Sequence, residues 1–487
     1  MITKVQHPQG LFVLFFTEMW ERFSYYGMRA LLVLYLVNAQ EYSREEALSL
    51  YATYTGLVYL TPIIGGYLAD RWLGARRAVF VGGIVMALGH FAMAFPGLLH
   101  FALGLLVAGN GFFKPNISTM VGSLYEQHDP RRDAGFTIFY MGINLGAFLS
   151  PLICGTLGEK VGWHWGFGAA GVGMVLGMLI YWAGQHRLGH AGSHHEEPSG
   201  EHFRLGIGDW STITAVSTAV TLLVGAGVFL WPQISQLWEM AGTGTQLGLG
   251  AGLLVIATTA PRWFGGNSEP VKLTREDRQH LLVIFIMALF VIFFWMGFEQ
   301  AGGTMNLFAD QKTERNLLGW EMPASYFQSV NPLAILLLAP LFSALWLRLD
   351  RSRFALSSIQ KQAVGMMILG LGFVVLAVAD ERASEFGRVA PWWLLTVYLL
   401  HTMGELCLSP IGLSMVTKLA PARLVSLMMG FWFTAMALAN YLAGTLESIL
   451  HQWQVPLYWF LVGSSMGAGL LLLFLSPFIK RLMHGVE

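Results

Sequence analysis

The ionisable side chains best placed to do chemistry lie between Glu18 and Arg29, inside an apolar run at residues 11–37. On an α-helix the polar side chains of this segment fall within an arc of roughly 140°, so they form one stripe on an otherwise apolar surface. The stripe rises about 16 Å, half of a hydrocarbon core of about 30 Å. Its members are Glu18, Glu21, Arg22, Tyr25, Tyr26 and Arg29.

Charges at this depth in a membrane span indicate a polar cavity. Inserting one charged side chain at the bilayer centre costs roughly 2.5–3.5 kcal/mol, which favours facing water or partner charges over facing lipid. A purely structural salt-bridge helix would also satisfy the charges, but it would not need the two tyrosines. We therefore interpret the stripe as one wall of a functional cavity.

Composition indicates a polytopic membrane protein from end to end. The 487 residues are 55% hydrophobic and 12% charged, with 56 glycines, so no soluble domain is expected. Acidic and basic residues number 29 each, which argues against a nucleic-acid partner. Cys154 and Cys407 both lie in apolar segments, so we expect neither a disulfide framework nor a metal site.

Apolar length and loop punctuation predict fourteen membrane-spanning helices. An even number places both termini on one side. Twenty Lys and Arg residues fall in the loops of that side and six in the alternate loops, so both termini are predicted to be cytoplasmic. The predicted spans are 11–38, 47–70, 77–97, 100–123, 134–158, 164–187, 210–231, 245–262, 279–300, 325–348, 360–380, 391–418, 425–448 and 455–483.

The remaining three cations lie within spans: Arg22, Arg29 and Lys114, all in the first half of the chain. The second half carries Glu299 and Glu405 in its spans and no cation. A cavity between the halves would be positive on one wall and negative on the other, which suits a zwitterionic ligand. The alternative is that these charges pair with one another across the bundle for structural reasons.

Two loop segments indicate a chain of two parallel halves. The run GYLADRWLGARR at residues 66–77 resembles the cytoplasmic loop motif of the major facilitator superfamily, and LDRSR at residues 349–353 repeats it weakly in the second half. A positive-inside anchor would explain the arginines, but it would not explain the repeated Asp-Arg pair.

More specific segments resemble the proton-coupled oligopeptide transporters of this superfamily. They are ExxERFSYYG at residues 18–27, GFTIFYMGINLGA at 135–147, SVNP at 329–332, GE at 404–405 and SP at 409–410. The resemblance covers nearly the whole chain. It implies an all-α major facilitator fold with two six-helix bundles, at residues 1–190 and 271–487. A cytoplasmic linker at 191–208 and a two-helix insertion at 209–270, as in bacterial relatives, would separate them.

The resemblance also implies roles for individual side chains. Arg29, Lys114 and Asn144 would receive the peptide carboxylate and backbone, and Asn331 and Glu405 would receive the amino terminus. Aromatic pocket walls would come from Tyr26, Tyr59 and Trp432. The proton-coupling residues would be Glu18, Glu21 and Arg22, with Glu299 opposing Arg29 as a gate.

The implied function is symport of protons with di- and tripeptides by a monomer in the bacterial inner membrane, with the lipid bilayer as its solvent and no cofactor. A transporter of nitrate or another small solute on the same scaffold, and a non-transporting nutrient sensor, remain alternatives. An intramembrane enzyme is disfavoured, because His401 and Glu405 share a helix face without a complete set of metal ligands. Side-chain preference, proton stoichiometry and conformational state are not determined by the sequence.

Overall fold

The computed structural model describes residues 6–126, 129–192, 207–240, 273–352, 355–408, 412–421 and 424–485. Almost all of them are helical, because a backbone inside a bilayer must satisfy its hydrogen bonds within its own segment. The first seven helices are α1 (Gln9–Asn38), α2 (Arg44–Leu68), α3 (Ala75–Ala92), α4 (Leu99–Ser123), α5 (Arg132–Ser150), α6 (Trp163–Ala183) and α7 (Ile207–Met240).

The second half of the chain repeats this helical organisation. Its helices are α8 (Arg275–Phe298), α9 (Thr304–Lys312), α10 (Val330–Asp350), α11 (Ser358–Phe386), α12 (Trp392–Leu408), α13 (Gly412–Leu419), α14 (Val425–Gln452) and α15 (Leu457–Leu482). A short antiparallel pair of strands, β1 (Asn316–Leu317) and β2 (Trp320–Glu321), lies between α9 and α10.

Eleven helical segments of the described residues are long and apolar enough to cross a membrane. Two further predicted spans are also helical: α1 carries four charged residues in its middle, and α12 is only 17 residues long. Thirteen of the fourteen predicted spans therefore correspond to helices. The fourteenth, at 245–262, lies outside the described residues. Most of the predicted linker also lies outside the described residues, so the boundaries of the insertion stay predictions. The side of the membrane on which the termini lie is likewise still a prediction.

Helix packing divides the described chain into two bundles. In the first, α1 packs against α5 and α6, while α4 packs against α2 and α3. In the second, α11 packs against α12 and α15, and α8 packs against α14 and α15. The bundles meet where α2 lies along α14 and where α5 lies along α10. Helix α7 packs on the outside of the first bundle, against α3 and α4.

Polar contacts join the halves at the end of the molecule that carries the loop at residues 39–43, the predicted outer end. Here Glu159 accepts hydrogen bonds from the backbone N–H groups of Ala324 (2.7 Å) and Ser325 (3.0 Å). These contacts close the cavity at the predicted outer end. Further pairs are Asn38 with Asp310 (3.0 Å), Arg44 with Glu447 (2.8 Å), Thr156 with Tyr326 (2.7 Å) and Lys160 with Glu321 (3.0 Å).

The Lys160–Glu321 contact tolerates acid. The hydrogen bond from Lys160 lowers the pKa of the Glu321 carboxyl below its usual value, with a smaller contribution from the Arg315 charge. A carboxyl with a lowered pKa stays ionised as the pH falls, and loses its charge only when the pH drops through that lowered value. Mild acidification of the outer medium therefore leaves this contact in place.

Close approach of α2 and α14 at the same end depends on Gly444. A Cβ atom at this position would lie 2.6 Å from the Leu48 carbonyl oxygen and 2.5 Å from the Ala52 Cβ. The two helices would have to separate to accommodate it, because backbone atoms cannot move aside as a flexible side chain can.

We expect Gly444→Ala to shift the protein away from the outer-closed conformation. The readout is a thiol cross-link between Glu45→Cys and His451→Cys, whose native side chains approach to 3.8 Å across the halves, in a background lacking Cys154 and Cys407. Cross-linking by a short bifunctional reagent should slow several-fold. The matched control is Gly463→Ala on α15, where a Cβ meets no atom within 4 Å. Equal cross-linking rates in the two variants would contradict the prediction.

Candidate functional site

The charged stripe of α1 faces the protein interior. Glu18 and Glu21 are fully buried, and Arg22 and Arg29 retain only 6% and 7% of their surface. Buried charges are tolerated only when they are paired and hydrogen-bonded. The stripe therefore faces the interior of the first bundle, where α1 packs against α5 and α6. The prediction that it forms a cavity wall applies to Tyr26 and Arg29, which line the cavity described below, and not to its other members.

Four of the buried charges form a coupling cluster, made of Glu18, Glu21, Arg22 and Lys114. Arg22 donates from both Nε and Nη2 to the Glu21 carboxylate, the Nη2 bond measuring 2.6 Å. Its Nε also lies 3.4 Å from Glu18 Oε1. Lys114, from α4, donates to the same Glu18 oxygen, while Glu18 Oε2 has no hydrogen-bond partner among the residues that the structure describes. Two carboxylates and two cations balance, so one added proton would leave one cation without its partner.

A second buried ion pair joins the two halves. Arg29 on α1 donates to Glu299, which lies in the turn Glu299–Gly302 directly after α8. The Arg29 Nε also donates to the Tyr51 hydroxyl on α2 at 2.5 Å. Gly302 makes this approach possible, because a Cβ there would collide with the Tyr51 hydroxyl. The pair lies at the junction that must open if the halves separate at the outer end.

Tyr26 lies between the coupling cluster and the Arg29–Glu299 ion pair. Its ring centroid lies 5.9 Å from the guanidinium carbon of Arg22 and 5.9 Å from that of Arg29. An aromatic face within about 6 Å of a cation attracts it, an interaction that strengthens away from water. A change in the pairing of either arginine therefore alters its cation–π attraction to the ring of Tyr26.

A cavity of about 220 Å³ lies between the halves. Arg29 contributes positive charge from the first half, and Glu299 and Glu405 contribute negative charge from the second. The opposite signs predicted for the two walls are thus found on one shared cavity. The predicted site residues that line it are Tyr26, Arg29, Tyr59, Asn144, Glu299, Asn331 and Glu405.

Glu405 is positioned on the second-half wall of the cavity by a hydrogen bond. Asn331 Nδ2 on α10 donates to Glu405 Oε2 on α12 at 2.8 Å and lies 3.0 Å from the Thr402 hydroxyl. The carboxylate therefore has an amide partner and forms no ion pair with the described residues. Across the cavity, Asn144 Nδ2 donates to the carbonyl of Tyr140, one turn earlier on α5, at 3.0 Å.

Two predicted binding residues are not among the side chains that line the cavity. Lys114 belongs to the coupling cluster through its bond to Glu18, although 30% of its side chain is exposed. Trp432 is buried within α14, with 4% of its surface accessible. Their predicted roles in substrate binding stay predictions, and so do those of the residues that do line the cavity.

Other lining residues were not predicted from the sequence. Tyr140 lies one turn before Asn144, His401 one turn before Glu405, and Gln328 three residues before Asn331. Helical spacing from a predicted site residue could have found them, since positions three and four apart share a face. Trp295, four residues before Glu299, could have been found in the same way, whereas Phe298 and Tyr398 line the cavity without such a spacing.

The model of the POT family matches residues 76–460 of this chain. The chain belongs to the POT family. Its relatives include the peptide transporter YePEPT of Yersinia enterocolitica, 40% identical, with 99% of this chain and 96% of the relative covered. A di-/tripeptide transporter of Lactococcus lactis subsp. cremoris is 35% identical, with 99% and 97% covered.

The fold agrees with that of solved POT proteins. A peptide transporter POT in complex with alafosfalin superimposes with a TM-score of 0.80 at 37% identity, covering 99% of this chain and 97% of the other. This POT-family chain is therefore a polytopic membrane transporter of the major facilitator type, and its relatives are transporters rather than enzymes. A bacterial inner-membrane location agrees with both findings.

Proposed function

We propose that this protein is a proton-coupled symporter that imports di- and tripeptides by alternating access. The observation that carries the proposal is the single cavity that Arg29 and Glu405 share from opposite halves. A short peptide presents a carboxylate at one end and an ammonium at the other, which complements these walls. The Yersinia relative is a peptide transporter, and the Lactococcus relative is a di-/tripeptide transporter.

Within the cavity, Arg29 and Asn144 would bind the peptide carboxylate and backbone, assisted by Lys114 from the coupling cluster. Asn331 and Glu405 would bind the amino terminus. The aromatic side chains would accept varied peptide side chains, because a ring face packs against many shapes without demanding one. Since one chain contains both walls of the cavity, we propose the monomer as the transporting unit. Of the proposed aromatic set, Tyr26 and Tyr59 line the cavity, and Trp432 lies outside its lining.

Proton coupling would use the two buried ion pairs. Burial favours the neutral form of a carboxyl group, whereas an adjacent cation favours its ionised form. Protonation of Glu21 or Glu299 from outside would release Arg22 or Arg29 from its partner. Arg29 could then bind the peptide carboxylate.

The conformational cycle follows from the same pairs. In the structure, Arg29 is bound to Glu299 and the predicted outer end is closed. Outward opening separates that ion pair, and with the cavity open outward Glu299 would be protonated from the external pool, which leaves Arg29 free for the peptide carboxylate. After the halves close around the peptide and open inward, loss of the proton restores the ion pair. Peptide and proton would therefore move in the same direction.

A nitrate transporter on this scaffold fits the cavity less well. Nitrate carries one negative charge and has no cationic end, so it has nothing to bind Glu405. A nutrient sensor would bind peptide without moving it. Both alternatives are separated from peptide symport by one set of transport measurements.

We expect purified protein in liposomes to accumulate dialanine and trialanine when the outside is more acidic than the lumen. The imposed pH gradient should raise uptake at least tenfold over liposomes without one, and a protonophore should remove the increase. Excess dipeptide should compete, while free alanine and nitrate should not. Downhill exchange without proton-driven accumulation would contradict coupling. Binding without transport would indicate a sensor.

A further inference from the structure

Gln328 lies at the edge of the cavity, in the turn Ala324–Ser329 that leads into α10. It precedes Asn331 by three residues, so the two amide side chains lie on one side of the chain as α10 begins. The same cavity surface includes Ala147 and Pro151 of the first half. Gln328 is therefore placed where a ligand would bridge α5 and α10.

The backbone around Gln328 is held by contacts to the opposite half. Glu159 accepts from the N–H groups of Ala324 and Ser325, and the Ser329 hydroxyl donates to the carbonyl of Phe148 at 2.8 Å. A side chain on such a fixed turn has a defined position. It can serve recognition at little entropic cost.

The amide nitrogen of Gln328 is nevertheless left without an acceptor. Its Nε2 is buried and has no hydrogen-bond partner within the described structure. The neighbouring amides are occupied, since Asn331 donates to Glu405 and Asn144 donates to Tyr140. A buried amide donor without an acceptor costs free energy, and a ligand that supplies the acceptor recovers it.

The chemistry of a carboxamide indicates what it would bind. It offers N–H donors and a carbonyl acceptor side by side, which complement the carbonyl and N–H of a peptide bond. Arg29 and Glu405 provide charge for the termini of the ligand, whereas Gln328 carries no charge. Its complement is therefore the neutral backbone between the two ends.

We propose that Gln328 is a further substrate-binding residue, which donates a hydrogen bond from Nε2 to the carbonyl oxygen of the peptide bond in the cargo. This rests on the proposed function, because it presumes a peptide in the cavity. Gln328 thereby selects for an amide between the termini, in addition to the selection of the termini by charged residues.

The test compares dialanine with its (E)-alkene isostere, in which CH=CH replaces CO–NH and both charged ends remain. Dissociation constants are measured with the purified full chain. Wild type should bind dialanine about tenfold more tightly than the isostere, as expected for one hydrogen bond in a buried site. In Gln328→Met, which keeps the length of the side chain, the ratio should fall to about one, with dialanine losing affinity and the isostere little changed.

Two further variants make the test independent of folding. Gln328→Glu removes the amide donors and keeps the shape, so its ratio should also fall. Gln452→Leu, at an exposed position at the end of α14, should retain the wild-type ratio. A tenfold ratio in both Gln328 variants would overturn the assignment while leaving peptide transport intact. Failure of wild type to bind dialanine at all would instead refute the proposed function.

Discussion

Glu21→Gln is expected to abolish proton-driven accumulation of dipeptide. The ratio of internal to external peptide, which should be several-fold above one in wild type, should fall to about one in the variant. Glu21 is fully buried and makes a bidentate interaction with Arg22. Glutamine keeps the shape and one hydrogen-bond acceptor but cannot gain or lose a proton. Arg22 is then held or released independently of pH, so a proton gradient can no longer drive the cycle.

Counterflow distinguishes loss of coupling from loss of folding. In liposomes preloaded with unlabelled dipeptide, Glu21→Gln should exchange labelled peptide at a rate within a few-fold of wild type, because the cavity residues are unchanged. Glu385→Gln, a matched change at an exposed position of α11, should accumulate peptide normally. Uphill uptake by Glu21→Gln at the wild-type level would remove Glu21 from the coupling mechanism.

Glu405→Gln should weaken dipeptide binding by about 10- to 100-fold, since a hydrogen bond to a charged group contributes about 1.5–3 kcal/mol. The substitution keeps an oxygen for Asn331, whose amide donates to Glu405 at 2.8 Å, so the geometry of the wall is retained. What is lost is the negative charge opposite the ammonium of the peptide. Equilibrium binding to purified protein measures the effect.

The matched ligand is the N-acetylated dipeptide, which has no ammonium group. It should bind wild type weakly and lose little further affinity in Glu405→Gln. Lys114→Ala probes the opposite charge and should also weaken binding of the free dipeptide. Undiminished affinity in both variants would exclude recognition of the peptide by charge at its two ends.

Much of the fold could be predicted because the hydropathy and periodicity of each span depend only on its own residues. Eleven of the predicted apolar runs form helices that are long and apolar enough to cross a membrane in the part of the chain that the structure describes. The stripe on α1 was also visible, because helical periodicity alone puts Glu18, Glu21 and Arg22 on one side.

The site was predictable to the extent that charge inside a membrane is costly. Intramembrane ionisable residues are few, and listing them identified three residues of the cavity lining, Arg29, Glu299 and Glu405. The other four, Glu18, Glu21, Arg22 and Lys114, form the separate coupling cluster instead. The neutral lining residues escaped this reasoning. Gln328 and His401 carry no net charge signal, and polar neutral residues occur in many spans without function.

The sequence by itself determined a membrane protein of two helical halves, with every intramembrane cation in the first half and only carboxylates in the spans of the second, because hydropathy and charge are properties of each segment alone. Only the tertiary structure decided which charges meet: Lys114 bonds Glu18 within the first half, and Arg29 reaches Glu299 across the halves. It also decided that the halves are bonded together at the predicted outer end and that Gln328 lines the cavity with its Nε2 unpartnered among the described residues. These features depend on how helices distant in sequence pack and in which register, and no single helix encodes that.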